Sequence, residues 1–258
     1  MFLVLLLQTD LFAQISNTAS AEVKYLPNSA YPKNTDVAMV NDTTSVIFSE
    51  IIEEGIYRES FYLFAEGISN VIRVTVYDNM LVYDIDVLND TLFFCGNRNS
   101  KAFVAWADIP TFFSTGVFNY QEISEISYIS KIKPYHSSLD YLNLACLSIA
   151  NTYGGYCSYI TQVDVTNNSY IIAPIPAITG YDELCNDIIV YNDYILVAGC
   201  MENNTAPSPY GWSVRVYDKD NISNNLPYSF MMIQNYGNYV DRLTTSFLTK
   251  SKDEKKLN

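Results

Sequence analysis

The sequence predicts an all-β chain made of about four like-shaped antiparallel units, and three observations carry that expectation. First, a phrase returns. Asp84-Ile85-Asp86-Val87-Leu88-Asn89-Asp90 recurs as Asp187-Ile188-Ile189-Val190-Tyr191-Asn192-Asp193, and an apolar run ending in glycine follows each copy, Leu92 to Gly96 and Ile195 to Gly199. Second, the phrase keeps a period. A weaker copy stands at Asp36 to Asp42, so the starts at 36, 84 and 187 are spaced by 48 and then 103 residues, one and two intervals of about 50. Strands and turns repeating at that period point to sheets stacked on one another. Third, the 258 residues include 22 Tyr and 13 Phe and are 49% hydrophobic, a composition that suits pleated, half-buried surfaces and can fill a core.

Along the chain, Met1 to Leu7 and Leu11-Phe12-Ala13-Gln14 have the apolar run and cleavage zone of a secretory signal without its basic start, so residues 1–14 are expected to be a signal peptide. Residues 15–35, with Pro27 and Pro32, read as a leader or linker. Residues 36–249 form the repeat domain, and 250–258, with Lys250, Lys252, Lys255 and Lys256, a solvated charged tail. In the second unit, Leu81 to Leu88 turns through Asn89-Asp90 into Thr91 to Cys95. A loop from Gly96 to Ser100 follows, and Ala102 to Ile109 returns as a strand. The fourth unit repeats this plan: Asp187 to Tyr191, the corner Asn192-Asp193, Tyr194 to Ala198, a long loop through Pro207 and Pro209, then Trp212 to Tyr217. Asn and Asp tolerate the positive φ of a tight hairpin. A missing copy belongs near Tyr135, where only the degenerate Leu139 to Ala150 stands, and Tyr239 to Leu243 reads as the start of a fifth unit. Glu122 to Tyr128 fits either a helical turn or an outer strand.

Hydropathy separates inner from outer strands. Leu92-Phe93-Phe94 and Ile195-Leu196-Val197 are apolar without alternation, which implies burial on both faces. Gln162 to Thr166 and Ser213 to Tyr217 alternate, as strands wet on one face do.

Five cysteines stand at 95, 146, 157, 185 and 200. With Asn192-Asp193 as a two-residue turn, Cys185 and Cys200 come directly opposite each other and are expected to form a disulfide. Cys146 and Cys157 flank Asn151 to Gly155 and are the second expected pair. Cys95, inside an apolar strand, reads as a small buried hydrophobe.

A formal net charge of −13 repels phosphate backbones and argues against a nucleic-acid partner. No apolar run reaches the length of a transmembrane helix, and the signal-like start gives the expected location: exported, whether periplasmic, cell-surface or extracellular. Catalytic and metal-ligating residues are not indicated, and no cofactor is expected. The single histidine, His136, lacks a recurring partner, and Asp218 to Ser223 has alternating oxygen ligands without the glycine and glutamate of a calcium loop. Asp84 and Asp86, two apart on one strand face, could share a proton or a cation. Because Asp84 persists as Asp36 and Asp187, its expected task is to accept backbone N–H bonds within the repeat. Among loop aromatics, Tyr153, Tyr156, Tyr210 and Trp212 are the candidate binding residues, suited to sugar rings or a protein partner.

The phrase Asp-Ile-x-Val-x-Asn-Asp followed by Leu-Phe-Phe-Cys-Gly or Ile-Leu-Val-Ala-Gly resembles the blade core of secreted bacterial β-propellers, over residues 36 to about 235. The resemblance implies a β-propeller-like array of about four antiparallel blades, complete or incomplete, closed by its own blades or by dimerisation. No Trp-Asp ending, kelch signature or sialidase-type aspartate box accompanies it, so it implies no particular activity. Three functions follow as expectations: a non-catalytic module recognising a protein or carbohydrate through inter-blade loops; a glycosidase- or lyase-type enzyme with acids at the propeller mouth; or a structural module of a larger envelope protein.

Overall fold

The computed structural model describes residues 35–53, 56–65, 71–76, 79–152, 155–175, 181–203, 210–225 and 230–234. Each repeat unit folds into one antiparallel sheet whose strands neighbour each other in sequence order, giving a β-propeller-like array of four blades. Blade 1 holds β1 (Thr35–Asn41), β2 (Thr44–Glu53), β3 (Ile56–Ala65) and β4 (Ile72–Val76). Blade 2 holds β5 (Met80–Leu88), β6 (Thr91–Arg98), β7 (Lys101–Asp108) and β8 (Asn119–Ile123). Blade 3 holds β9 (Tyr128–His136), β10 (Leu142–Thr152), β11 (Gly155–Asp164) and β12 (Ser169–Pro174). Blade 4 holds β13 (Tyr181–Tyr191), β14 (Tyr194–Asn203), β15 (Tyr210–Asp218) and β16 (Asn221–Asn225), with β17 (Phe230–Gln234) also paired to β15. Successive blades meet through their first strands, β1 on β5, β5 on β9 and β9 on β13. The fifth start expected at Tyr239 lies outside the described residues.

The three visible copies of the phrase occupy like positions: Asp36, Asp84 and Asp187 all stand on the first strand of a blade. Asn89 and Asp90 take φ of 49° and 59°, and Asn192 takes 52°, the left-handed corner that a tight turn requires. The glycine that closes the apolar run has a distinct cause. Both β5–β6 and β13–β14 carry a bulge, at Tyr83 and Asn186, and beside each bulge a glycine is the opposed residue, Gly96 facing Val82 and Gly199 facing Cys185. The extra residue bends the first strand over the second. At Gly96 a Cβ would lie 1.8 Å from the Leu81 carbonyl oxygen.

The missing third copy is β9 and β10, at the place expected for it: Tyr135 stands on β9, and Leu142 to Ala150 on β10. Lys131 follows the bulge at Ser130 as Asp84 follows the bulge at Tyr83, so blade 3 keeps the strand and replaces the aspartate by lysine.

Continuous apolar strands are buried on both faces, as their pattern predicts. On β6, Leu92 and Phe94 join the core shared with blade 1, while Phe93 and Cys95 join the core shared with blade 3. On β10, Leu144 and Cys146 face blade 2, and Ala145 and Leu147 face blade 4. Each inner strand thus welds two interfaces, which makes a single blade unstable alone. In the first core Phe61 meets Phe94, Phe112 and Phe48 at ring-centroid distances of 5.0, 5.2 and 5.4 Å. The alternation of Ser213 to Tyr217 is present with the opposite phase. Ser213, Arg215 and Tyr217 are the buried set, and the two valines are half-buried.

One helix departs from the sequence expectation. α1 (Ile109–Thr115) follows β7, where only a strand end was read. Its signals are local. Asp108 Oδ1 accepts from the Thr111 N–H and hydroxyl at 2.9 and 2.6 Å, Pro110 sits in the first turn, and Gly116 closes the helix at φ 72°. The helix drives Phe112 and Phe113 into the first core. Glu122 to Tyr128 divides between the end of β8, a turn and the start of β9.

The expected disulfides are corrected by register. The bulge at Asn186 shifts the β13–β14 ladder by one, so Cys185 opposes Gly199 and Cys200 opposes Leu184. A one-residue offset puts two strand positions on opposite faces of a sheet, which removes the geometry a bridge needs. In β10–β11, Cys146 opposes Thr161 and Cys157 opposes Ala150, a register that pairs Thr152 with Gly155. Cys146 is a buried free thiol, as is Cys95. Burial pushes both thiols up, which leaves them protonated and unreactive. The side chains of Cys157 and Cys200 lie outside the described residues.

Candidate functional site

The first strands line up charge. Asp36 Oδ2 of blade 1 accepts from the Ile85 N–H of blade 2 at 3.1 Å, and Asp84 Oδ2 of blade 2 accepts from the Ile132 N–H of blade 3 at 2.8 Å. The repeated aspartate therefore ties the inner strand of one blade to that of the next. Blade 3, which lacks the aspartate, supplies two cations instead. Lys131 Nζ meets Asp84 Oδ1 at 2.8 Å, and Lys133 Nζ meets Asp86 Oδ2 at 2.8 Å. The spacing of two is shared by both pairs, since residues i and i+2 of a strand share a face. Burial and the Asp36 carboxylate push Asp84 up to about 8, against the pull of Lys131 and Lys133. Burial works against a charged ammonium at Lys131, yet Asp84, Asp36 and the field of Asp187 hold its proton on more firmly than usual.

A second acidic pair bridges blades 1 and 2. Glu50 and Glu59 are directly opposed on β2 and β3, and both are buried. Glu59 Oε1 accepts from the Val82 N–H at 3.3 Å, and its other oxygen has no partner. Burial pushes Glu59 up to about 8, with Glu50 adding to the effect and the Val82 N–H opposing it. The unfolded chain releases such a proton near the ordinary value of 4.5, while the folded chain holds it to about 8. The folded state binds more protons across that window, so stability is full below it and falls as pH rises through it. Glu59→Gln should flatten the decline and raise the melting temperature on the alkaline side. Thermal unfolding from about pH 5 to about pH 9 reads the effect, which for Glu59 alone is at most a few kcal/mol. A mutant as pH-sensitive as the parent would refute the assignment.

The third polar assembly lies between blades 3 and 4 at the turn side. Tyr135 of β9 donates its hydroxyl to the Lys219 carbonyl at 3.0 Å and accepts from Gln162 Nε2, which also donates to the Lys219 carbonyl at 2.7 Å. Above this network opens a cleft of about 230 Å³. Tyr141, Asn143, Gln162, Asp164, Tyr170 and Asp220 belong to its lining. Asn143 is 7% exposed, and its buried Oδ1 has no hydrogen-bond partner.

Of the residues singled out in the sequence, Asp84 and Asp86 come together with the lysines described above. His136 ends β9 rather than lying in a loop, 41% exposed, with Nδ1 3.4 Å from Asp140 Oδ1 and Nε2 3.4 Å from Asn89 Nδ2. Asp218 to Ser223 forms the β15–β16 corner, where Asp218 Oδ1 accepts from the Asp220 N–H at 2.8 Å, an Asx turn. Tyr153 lies outside the described residues. Tyr156 stands on β11, and Tyr210 and Trp212 on β15, with side chains outside what is described. Sequence reasoning missed Lys131 and Lys133, the Glu50–Glu59 pair and the cleft. The lysine pair had one signal, its spacing of two, matching that of Asp84 and Asp86.

No family model matches the chain, and no curated protein sequence matches it. Among solved structures it is similar to the β-propeller domain of the Trilobed protease from Pyrococcus furiosus, described as having an open velcro topology, at 9% identity and a TM-score of 0.45 over 80% of this chain and 59% of that one. It is also similar to a mutant form of Synechocystis ACO, at 11% identity and a TM-score of 0.44 over 80% of this chain and 50% of that one. The chain thus spans less than two thirds of either structure. Among the described residues no helix is long and apolar enough to cross a membrane, and no group of three or more His, Cys, Asp or Glu could hold a metal ion.

Proposed function

We propose that this chain is an exported, non-catalytic recognition module that binds a protein or glycan through clefts and loops between its blades. The supporting observation is how the inner-strand acids are used. Asp36 and Asp84 accept inter-blade N–H bonds, and Asp84 and Asp86 each hold a lysine. A glycosidase needs two carboxyl groups facing a sugar, one to protonate the leaving oxygen and one to attack or to activate water. Acids spent on holding neighbouring blades together are poorly placed for that work, whereas an acceptor at the blade 3–4 cleft is left for a ligand. The test has two arms on the full chain: retention on arrays of glycans and of extracellular proteins, and product release from glycoside and polyuronate substrates. Retention without turnover is expected. Turnover abolished by Asp84→Asn or Asp36→Asn would replace this reading by the enzymatic one, and neither retention nor turnover would leave a structural module.

A further inference from the structure

We infer that the cleft between blades 3 and 4 is a subsite for one neutral, hydroxyl-rich ring, a hexopyranose unit of a glycan. The inference rests on the recognition reading above and names its ligand class. Its first support is the Asn143 Oδ1 atom. A buried amide oxygen without a partner carries an unmet desolvation cost, and a ligand O–H or N–H at the cleft floor relieves it. Asn143 is directly opposed by Tyr135 on β9 and by Asp164 on β11, so its amide stands between two ordered neighbours. The acceptor is therefore preorganised by three strands of blade 3.

The second support is the character of the lining. Asp164 and Asp220 add carboxylate acceptors, so the cleft asks its ligand for donors and repels phosphates and uronates. Asp164 already accepts from the Asn167 backbone and side chain at 2.9 and 2.7 Å, and Asp220 Oδ1 from the Ser138 N–H at 3.4 Å. Acceptors on separate elements match a ring with several hydroxyls better than one ammonium, which presents all its donors from a single atom. Tyr141 is 43% exposed at the cleft, whereas the Tyr170 ring packs toward blade 2, where its hydroxyl meets Glu125 at 2.9 Å. Tyrosine rings offer an apolar face to the C–H face of a sugar. At about 230 Å³ the cleft is smaller than sites for drug-sized ligands, which run to roughly 300–1,000 Å³, and has room for one ring.

The experiment titrates the full chain with methyl hexopyranosides of different hydroxyl configuration, with n-propylammonium as the cationic probe and inorganic phosphate as the anionic one. Saturation-transfer NMR and calorimetry read binding. At least one glycoside should bind saturably in the millimolar range, as expected of a single ring with few anchors, and neither ion should displace it. Tyr141→Ala and Asn143→Leu should each weaken binding about tenfold, the equivalent of one good contact. Tyr141 is exposed enough that its truncation leaves the fold intact, so the test stands even if Asn143→Leu fails to fold. Failure of every glycoside to bind, equal binding by parent and Tyr141→Ala, or displacement by n-propylammonium would overturn the assignment. Retention of a larger glycan or a protein on the arrays, unaffected by Tyr141→Ala, would remove the cleft and leave the recognition reading standing. Turnover in the enzymatic assay would remove the reading itself.

Discussion

Asp84→Ala is expected to destabilise the protein by about 3–5 kcal/mol, the cost of leaving buried polar partners behind. The substitution strips the Ile132 N–H of its acceptor and leaves Lys131 facing empty space, both at the seam between blades 2 and 3. Asp84→Asn keeps an amide oxygen for one of those donors and, near neutral pH, lacks the negative charge that burial disfavours. It should lose about 1 kcal/mol there and lessen the stability decline at alkaline pH. Combining Asp84→Ala with Lys131→Met should recover part of the loss, because a neutral thioether has no unmet charge. Urea unfolding of the four proteins decides the matter. A loss below about 1 kcal/mol for Asp84→Ala would mean that the seam does not depend on this carboxylate.

Gly96→Ala is expected to cost about 3 kcal/mol or more, or to prevent folding. The new methyl would lie 1.8 Å from the Leu81 oxygen, 2.9 Å from its carbonyl carbon and 3.1 Å from the Val82 Cα. All three are main-chain atoms, so no rotamer change relieves the overlap. Only an unwinding of the Tyr83 bulge would, and Asp84 behind it would then leave its partners. Gly116→Ala is the comparison. Its Cβ has Val74 Cγ1 at 3.8 Å and ordinary space around it, but a φ of 72° disfavours any side chain. That strain costs about 1 kcal/mol. Chemical denaturation of both mutants separates collision from strain, and a Gly96→Ala protein as stable as Gly116→Ala would count against a tight bulge.

The repeat was legible because it is written in local chemistry. Asn-Asp corners, apolar runs buried on both faces and an aspartate recurring on first strands each follow from a few adjacent residues. Their periodic return announced the four blades and a backbone-accepting task for Asp84, while the structure showed that its donor, Ile132, belongs to the next blade. The α1 helix was legible too, in Asp108, Pro110 and Gly116, but it is short and sits among strands of strong pattern. The pairing of Cys185 with Cys200 failed for a definite reason. A single bulge residue, Asn186, moves every later pair of its hairpin by one, and hairpin counting from the Asn192-Asp193 corner cannot detect it. The same device at Tyr83 explains the glycine that the sequence displayed without its cause.

By itself the sequence determined an all-β chain, its unit length, its inner strands and the corners between them, since backbone preference and burial on two faces are properties of short segments. Only the tertiary structure decided which charges meet and where an acceptor is left over. Lys131 reaches Asp84 across 47 residues, and Tyr135 joins Lys219 across 84. Such pairings depend on the distance between blades, which arises from the packing of whole sheets; the spacing of two shared by Asp84 and Asp86 with Lys131 and Lys133 does not say which residues meet.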